Sequence, residues 1–178
     1  DIFRNLLFNE FHGSVYPINP KANNVLGVHC YPDLLNVPGA VDLAVVIVPA
    51  AGILDVVDQT IAKQVQALVV ISAGFKEIGA KGAELEKQLQ QKVRASGIRL
   101  IGPNCLGVVY AGDRKHPGLN TFFIPEEKFK VDMSRERNVA ILSQSGAMGI
   151  MELFNLRNAI SPKVVVSYGN QLDVDPAD

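Results

Sequence analysis

Apolar runs of strand length, separated by stretches of helical periodicity, constrain this chain more than any other feature. Val41-Asp-Leu-Ala-Val-Val-Ile-Val48, Ala67-Leu-Val-Val-Ile-Ser72, Arg99-Leu-Ile-Gly102, Asn138-Val-Ala-Ile-Leu142 and Lys163-Val-Val-Val-Ser-Tyr168 carry few polar residues on either face. Runs of that kind suit strands of a parallel sheet covered on both sides. Ser14-Val-Tyr-Pro-Ile-Asn19 is shorter and partly alternating, and it reads as an additional first strand. Between the runs, Ile53, Val56, Val57, Ile61 and Val65 recur at helical spacing. Leu85, Leu89 and Val93 form a second stripe that Gly97 can end in a left-handed conformation. Ile2 and Leu6 suggest a helix at the start. Strand alternating with helix predicts a doubly wound parallel α/β sheet.

Composition narrows the function classes. The 178 residues carry 17 Lys and Arg against 18 Asp and Glu, a net charge of −1. No basic excess points to nucleic acid or an anionic membrane surface. The longest apolar stretch, Leu43 to Leu54, is interrupted by Pro49 and Gly52, so no membrane span is expected. Two cysteines make no disulfide framework, and a cytoplasmic location is the expectation. From about His116 to Arg137 the pattern changes to Pro, Gly and mixed charge. That break predicts one unit over residues 1–125, with 126–178 forming a linker and the beginning of a second; a long loop within one domain is the alternative.

Ligands of open parallel sheets lie outside the carboxyl ends of the strands. Four such exits follow one another here: Asn19-Pro-Lys21, Val48-Pro49, Ile71-Ser72-Ala73-Gly74 and Gly102-Pro-Asn104-Cys-Leu-Gly107. Together they form a rim of small and polar residues suited to an extended nucleotide-like ligand. Lys21 is the only cation within these exits and the natural partner of a phosphate. Ser72, Ala73 and Gly74 let a ligand approach the backbone and its amides. Taken singly, each exit is an ordinary turn. Ser143-Gln-Ser145-Gly146 precedes a helix over 150–158 and reads either as an anion site at the helix N-terminus or as a plain serine cap. It lacks the lysine and spacing of a P-loop.

Other residues carry less. His12, His29 and His116 share no metal-ligand spacing, and no metal site is expected. Cys30 and Cys105 fit small buried thiols. Asp173, Asp175 and Asp178 lack an EF-hand pattern and read as a helix start. Ser143 and Ser145 stand in no nucleophile elbow. No catalytic residue is assigned.

Quoted together and in order, the motifs resemble one family. Val15-Tyr-Pro-Ile-Asn-Pro-Lys21, Asp42-Leu-Ala-Val-Val-Ile-Val-Pro49, Ile71-Ser-Ala-Gly-Phe-Lys-Glu77, Gly102-Pro-Asn-Cys-Leu-Gly107, Ile141-Leu-Ser-Gln-Ser-Gly-Ala-Met-Gly149 and Ser167-Tyr-Gly-Asn-Gln-Leu-Asp-Val-Asp175 are similar to the CoA-binding portion of NDP-forming acyl-CoA synthetases. These are the ADP-forming acetate–CoA ligases, relatives of the succinyl-CoA synthetase α subunit. The resemblance implies a Rossmann-like domain holding CoA, then the start of a flavodoxin-like domain. It implies that Lys21 meets a CoA phosphate, that Val48 and Pro49 flank the adenine or ribose, and that Ile71, Ser72, Ala73 and Gly74 line the cofactor's path. Asn19 belongs to the same rim, Asn104 lies at its inner end, and Ser145 and Gly146 receive phosphate.

The implied reaction joins a small carboxylic acid to CoA through a phosphohistidine and an acyl phosphate, driven by ATP or GTP. The nucleotide and its Mg would be bound by an ATP-grasp subunit or fused domain, and an oligomer is expected. The family's opening strand, its Gly-rich turn and its histidine have no counterpart in these 178 residues, so unpaired sheet edges are also expected. A non-catalytic CoA-sensing module is the alternative. An NAD-dependent oxidoreductase fits less well, since Lys21 stands where an acidic residue would take the ribose hydroxyls.

Overall fold

The structure is a computed structural model, and it describes residues 1–8, 11–113, 115–125, 138–156 and 159–178. The chain opens with helix α1 (Ile2–Phe8), followed by a short antiparallel hairpin, β1 (Asn24–Val25) and β2 (Val28–His29). Leu26 and Gly27 close it with φ of 50° and 81°, the left-handed pair of a tight hairpin turn.

Three of the apolar runs form the expected parallel sheet. Strands β3 (Leu43–Val46), β4 (Ala67–Val70) and β5 (Arg99–Ile101) lie in the order β3-β4-β5, with Leu43 opposite Ala67 and Leu68 opposite Leu100. The connections carry helices α2 (Ile53–Ala62) and α3 (Ala80–Ser96). Ile53, Val57, Leu89 and Val93, the inward positions of the two stripes, are buried with Leu68, Val70, Phe75 and Leu100 in one core. Gly97 ends α3 at φ 74°, as its position predicts.

A mixed sheet follows, in the order β7-β6-β9-β8: β6 (Gly107–Tyr110), β7 (Leu119–Asn120), β8 (Val139–Ser143) and β9 (Pro162–Ser167). Strands β8 and β9 are parallel, joined through helix α4 (Gly146–Leu156), while β6 runs antiparallel to β9. Leu106, Phe122, Ile141, Leu153 and Val165 form its core. The division expected at residue 125 thus falls between strands of one sheet, β6 and β7 before it and β8 and β9 after it. The charged segment 126–137 lies outside the described residues.

Two elements depart from expectation. Ser14–Asn19 forms no strand; Ile18 makes a single parallel bridge with Tyr31, because Pro17 and Pro20 remove two ladder donors. The helix expected over 150–158 begins earlier, at Gly146. Among the described residues no strand pairs with the outer edge of β3. The far edge of β5 is covered by the segment after β9, where the Leu172 and Val174 amides donate to the Gly102 and Leu100 carbonyls at 3.1 Å each. Leu172 buries its side chain in the first core, worth about 1.5–3 kcal/mol for a residue of this size. The two sheets are therefore interlocked rather than merely adjacent.

Candidate functional site

The rim is assembled from the carboxyl ends of β3, β4 and β5, and backbone hydrogen bonds hold these ends together. The Ile71 amide donates to the Val46 carbonyl at 2.9 Å, and the Asn104 amide to the Ser72 carbonyl at 2.9 Å. The Ser72 hydroxyl donates to the Val48 carbonyl at 2.5 Å. Ser72 is accordingly buried, and its hydroxyl serves the rim rather than its surface. Pro49, Ala73 and Asn104 are exposed along the rim, while Val48, Ile71 and Gly74 are half-buried between them. Asn104 sits in the left-handed region at φ 58°.

Asn19 and Lys21 belong to a separate turn. The Asn19 amide donates to the Tyr31 carbonyl, and the Asn19 side chain accepts the Lys21 amide at 2.9 Å. Both residues are exposed, and Lys21 makes no ion pair among the described residues. The hydrogen bonds bring Val48, Ile71, Ser72 and Asn104 together, with Gly74 two residues along the chain from Ser72; those of Asn19 and Lys21 run elsewhere.

Gly74 is already engaged. Its amide donates to the Glu77 carboxylate at 2.6 Å, and the Phe75 amide donates to the same oxygen at 3.1 Å. Burial pushes the Glu77 carboxyl up, yet these amides, its own, and the Asn170 side chain together hold it below its ordinary value. Glu77, which braces this turn, is not among the rim residues that the sequence marks. The available signal was a carboxylate three positions beyond a glycine at a strand exit, within reach of the amides that such a turn leaves open.

At the second place, Ser145 caps α4: its hydroxyl accepts the Met148 amide at 3.4 Å. The Ser143 hydroxyl donates to the Ser145 carbonyl at 2.8 Å. Gly146 packs closely, since a Cβ there would lie 3.0 Å from the Leu106 Cβ and Leu106 would have to give way. The Leu106 amide in turn donates to the Ser167 hydroxyl at 3.1 Å. Through Leu106, the stretch that ends β5 also seats the α4 N-terminus, so Asn104 and Ser145 belong to one continuous framework.

The remaining candidates have structural roles. Cys105 is buried, its thiol donates to the Val70 carbonyl at 3.3 Å, and burial pushes it up to about 12. Cys30 is buried as well. His116 pairs with Asp113 at 3.0 Å, and His29 packs edge-on against Tyr31. Asp173 and Asp178 start no helix; both are engaged by Arg99, at 3.0 and 3.1 Å, and Asp173 also accepts the Leu100 amide. Among the described residues no group of three His, Cys, Asp or Glu is arranged to hold a metal, and no helix is long and apolar enough to cross a membrane.

Known proteins share the sequence and the fold of this chain. An ADP-forming acetate–CoA ligase I of Archaeoglobus fulgidus is 39% identical over 179 residues, covering 99% of this chain and 24% of that protein. The α subunit of an ADP-forming acetate–CoA ligase II of Pyrococcus furiosus is 36% identical, covering 100% of this chain and 36% of its own length. The chain thus spans about a quarter to a third of these relatives. Among solved structures, dinucleotide-forming acetyl-coenzyme A synthetase 1 of Ca. Korarchaeum cryptofilum, in complex with phosphate and ADP, superposes with a TM-score of 0.85 at 41% identity, over 98% of this chain and 35% of that one. Residues 1–111 match the CoA binding domain, and by that match over more than half its length this chain belongs to the CoA binding domain family.

Proposed function

We propose that this chain is the CoA-holding portion of an acid–CoA ligase that forms acyl-CoA from a small carboxylic acid, CoA and ATP or GTP, releasing the nucleoside diphosphate and phosphate. The observation that carries the reading is the joined rim at the ends of β3, β4 and β5, with Pro49, Ala73 and Asn104 exposed along it. An extended cofactor fits a rim whose exposed positions are Pro49, Ala73 and Asn104, and an exposed lysine with no ion pair among the described residues, Lys21, fits the cofactor's phosphates. In this reading Val48 and Pro49 flank the adenosine, Ile71 to Gly74 line the path of the chain, Asn104 lies at its inner end, and Lys21 takes a phosphate. CoA supplies the thiol that captures the acyl group.

The Ser145–Gly146 end of α4 stabilises a phosphoryl group in transit, through the free amides and positive end of a helix. The nucleotide and its Mg belong to an ATP-grasp unit outside this chain, an arrangement supported by relatives named as separate α subunits. Residues 1–125 are assigned to the CoA-holding domain and 126–178 to the start of a flavodoxin-like one, with β6 and β7 stitching the two together. The whole enzyme works as a cytoplasmic oligomer.

The test is made on the complete protein. Titration calorimetry with CoA should show binding, and incubation with acetate, CoA, ATP and Mg should yield acetyl-CoA and ADP. Absence of CoA binding overturns the reading. Binding with no acid-labile phosphate after treatment with γ-labelled ATP replaces it with a CoA-sensing module.

A further inference from the structure

One turn touches both candidate places. It follows β9 and runs through Tyr168, Gly169, Asn170 and Gln171. On one side, the Tyr168 amide donates to the Ser143 carbonyl at 2.9 Å, and the Gln144 side chain donates to the Gly169 carbonyl at 3.2 Å. Ser143 and Gln144 are the residues leading into the α4 N-terminus. On the other side, the Asn170 amide donates to the Pro103 carbonyl at 2.8 Å, one residue before Asn104 of the rim. The Asn170 side-chain amide donates to Glu86 at 2.7 Å and to Glu77 at 3.3 Å, and the Asn170 backbone carbonyl accepts the Lys76 ammonium at 3.1 Å. Glu77 is the carboxylate that fixes the Gly74 and Phe75 amides. Lys76 pairs with Glu86 at 3.3 Å and closes the network.

We propose that Asn170 is a positioning residue that fixes the spacing between the CoA rim and the Ser145–Gly146 phosphate place. The inference rests on the ligase reading above. A thiol held at one place must reach an acyl phosphate formed at the other, and reactions between two bound groups are steeply sensitive to their separation: a misplacement of about 1 Å can cost about 100-fold. Each place has its own local support, so a step using only one of them does not depend on Asn170. The step that needs both does. Asn170 suits the role because its side-chain amide donates to two carboxylates at once, which neither an aspartate nor an alanine can do.

The experiment uses the complete ligase and three readouts: phosphoenzyme formation from labelled ATP, calorimetric CoA affinity, and kcat for acyl-CoA formation. Asn170→Ala should leave the first two within about threefold of wild type and lower kcat about tenfold. Glu86→Gln replaces the carboxylate that takes the Asn170 side-chain amide at 2.7 Å and leaves the Glu77 contacts of the Gly74 turn in place. It loosens the clamp from the opposite side and reports the same split if the alanine variant does not fold. Combining the two should cost less than the sum of the single changes, because they share the Asn170–Glu86 contact. A kcat within twofold of wild type, or equal falls in all three readouts, overturns the positioning role while leaving the ligase reading intact. A wild-type enzyme that makes no acyl-CoA overturns that reading and this inference together.

Discussion

The carboxylate of Glu77 and the amide of Gly74 are 2.6 Å apart, and that contact occupies a donor that the strand exit would otherwise offer to a ligand. A phosphate approaching this turn meets an anion already in place. The turn is therefore preformed by the protein, and CoA is expected to pass over it by shape and apolar contact at Ile71 and Ala73 rather than through the Gly74 amide.

Stability should report the Glu77 charge through its pH dependence. The Glu77 carboxyl is held below a glutamate's ordinary 4.5, so its contribution is fully present above that value and is lost as the pH falls through the depressed one. Glu77→Gln lacks this titration. Urea unfolding of the two proteins should show the wild type more stable by about 1 kcal/mol at neutral pH, a modest figure because the side chain is largely exposed. The gap should close on acidification below pH 4.5. A gap that persists unchanged into strong acid would remove the charge from the account.

Gly169 can be nothing else. Its φ is +59°, and a Cβ there would lie 2.2 Å from the Pro103 carbonyl oxygen and 2.6 Å from that of Asn104. Both atoms are backbone and have no rotamer to escape through. Gly169→Ala should cost about 2–4 kcal/mol by urea unfolding, combining left-handed strain with the clash. Because the obstructing atoms belong to the rim, the same change should weaken CoA binding. A loss below about 0.5 kcal/mol would mean the turn is not seated where it is described.

Cys105 lies inside the Gly102–Gly107 motif of the rim without being reactive. Burial pushes its thiol up to about 12, and the thiolate is the nucleophilic form. At pH 8 the native protein should leave Cys105 unmodified by iodoacetamide over hours, with full labelling after urea unfolding, both read by peptide mass spectrometry. Rapid native labelling would refute the burial. CoA affinity should be untouched in Cys105→Ser, provided that the hydroxyl finds the Val70 carbonyl now served by the thiol.

What the sequence revealed and what it concealed divide along physical lines. Strands 43–46, 67–70 and 99–101 announce themselves because burial on both faces leaves continuous apolar runs, and α3 because Leu89, Val93 and Gly97 supply a stripe and a stop. Strand 107–110 is partly apolar too, but its partner at 162–167 lies more than fifty residues on, and no local pattern announces an antiparallel pairing at that range. Ser14–Asn19 fails in the opposite direction, its alternation suggesting a ladder that two prolines prevent. In the site, small residues at strand exits are visible as composition, whereas the Glu77–Asn170 contact joins residues 93 positions apart and exists only once both sheets have formed.

Lys21 remains the sharpest test of the site itself. It is exposed, stands on a turn held by Asn19 and Tyr31 rather than by the rim, and makes no ion pair among the described residues. An ammonium in that condition need break no ion pair among the described residues to reach a phosphate, so only its ordering and partial desolvation offset the contact. Lys21→Ala should weaken CoA binding by about 1–3 kcal/mol, the range for a hydrogen bond to a charged group. Raising the salt should shrink the difference, because the pair is solvent-facing and screened within about 10 Å at 0.1 M. Lys87→Ala, which removes an equally exposed cation from α3, should change nothing and so separates a specific contact from net charge. Equal CoA affinity in wild type and Lys21→Ala, measured by calorimetry at low salt, takes Lys21 out of the site and leaves the rim to hold the cofactor alone.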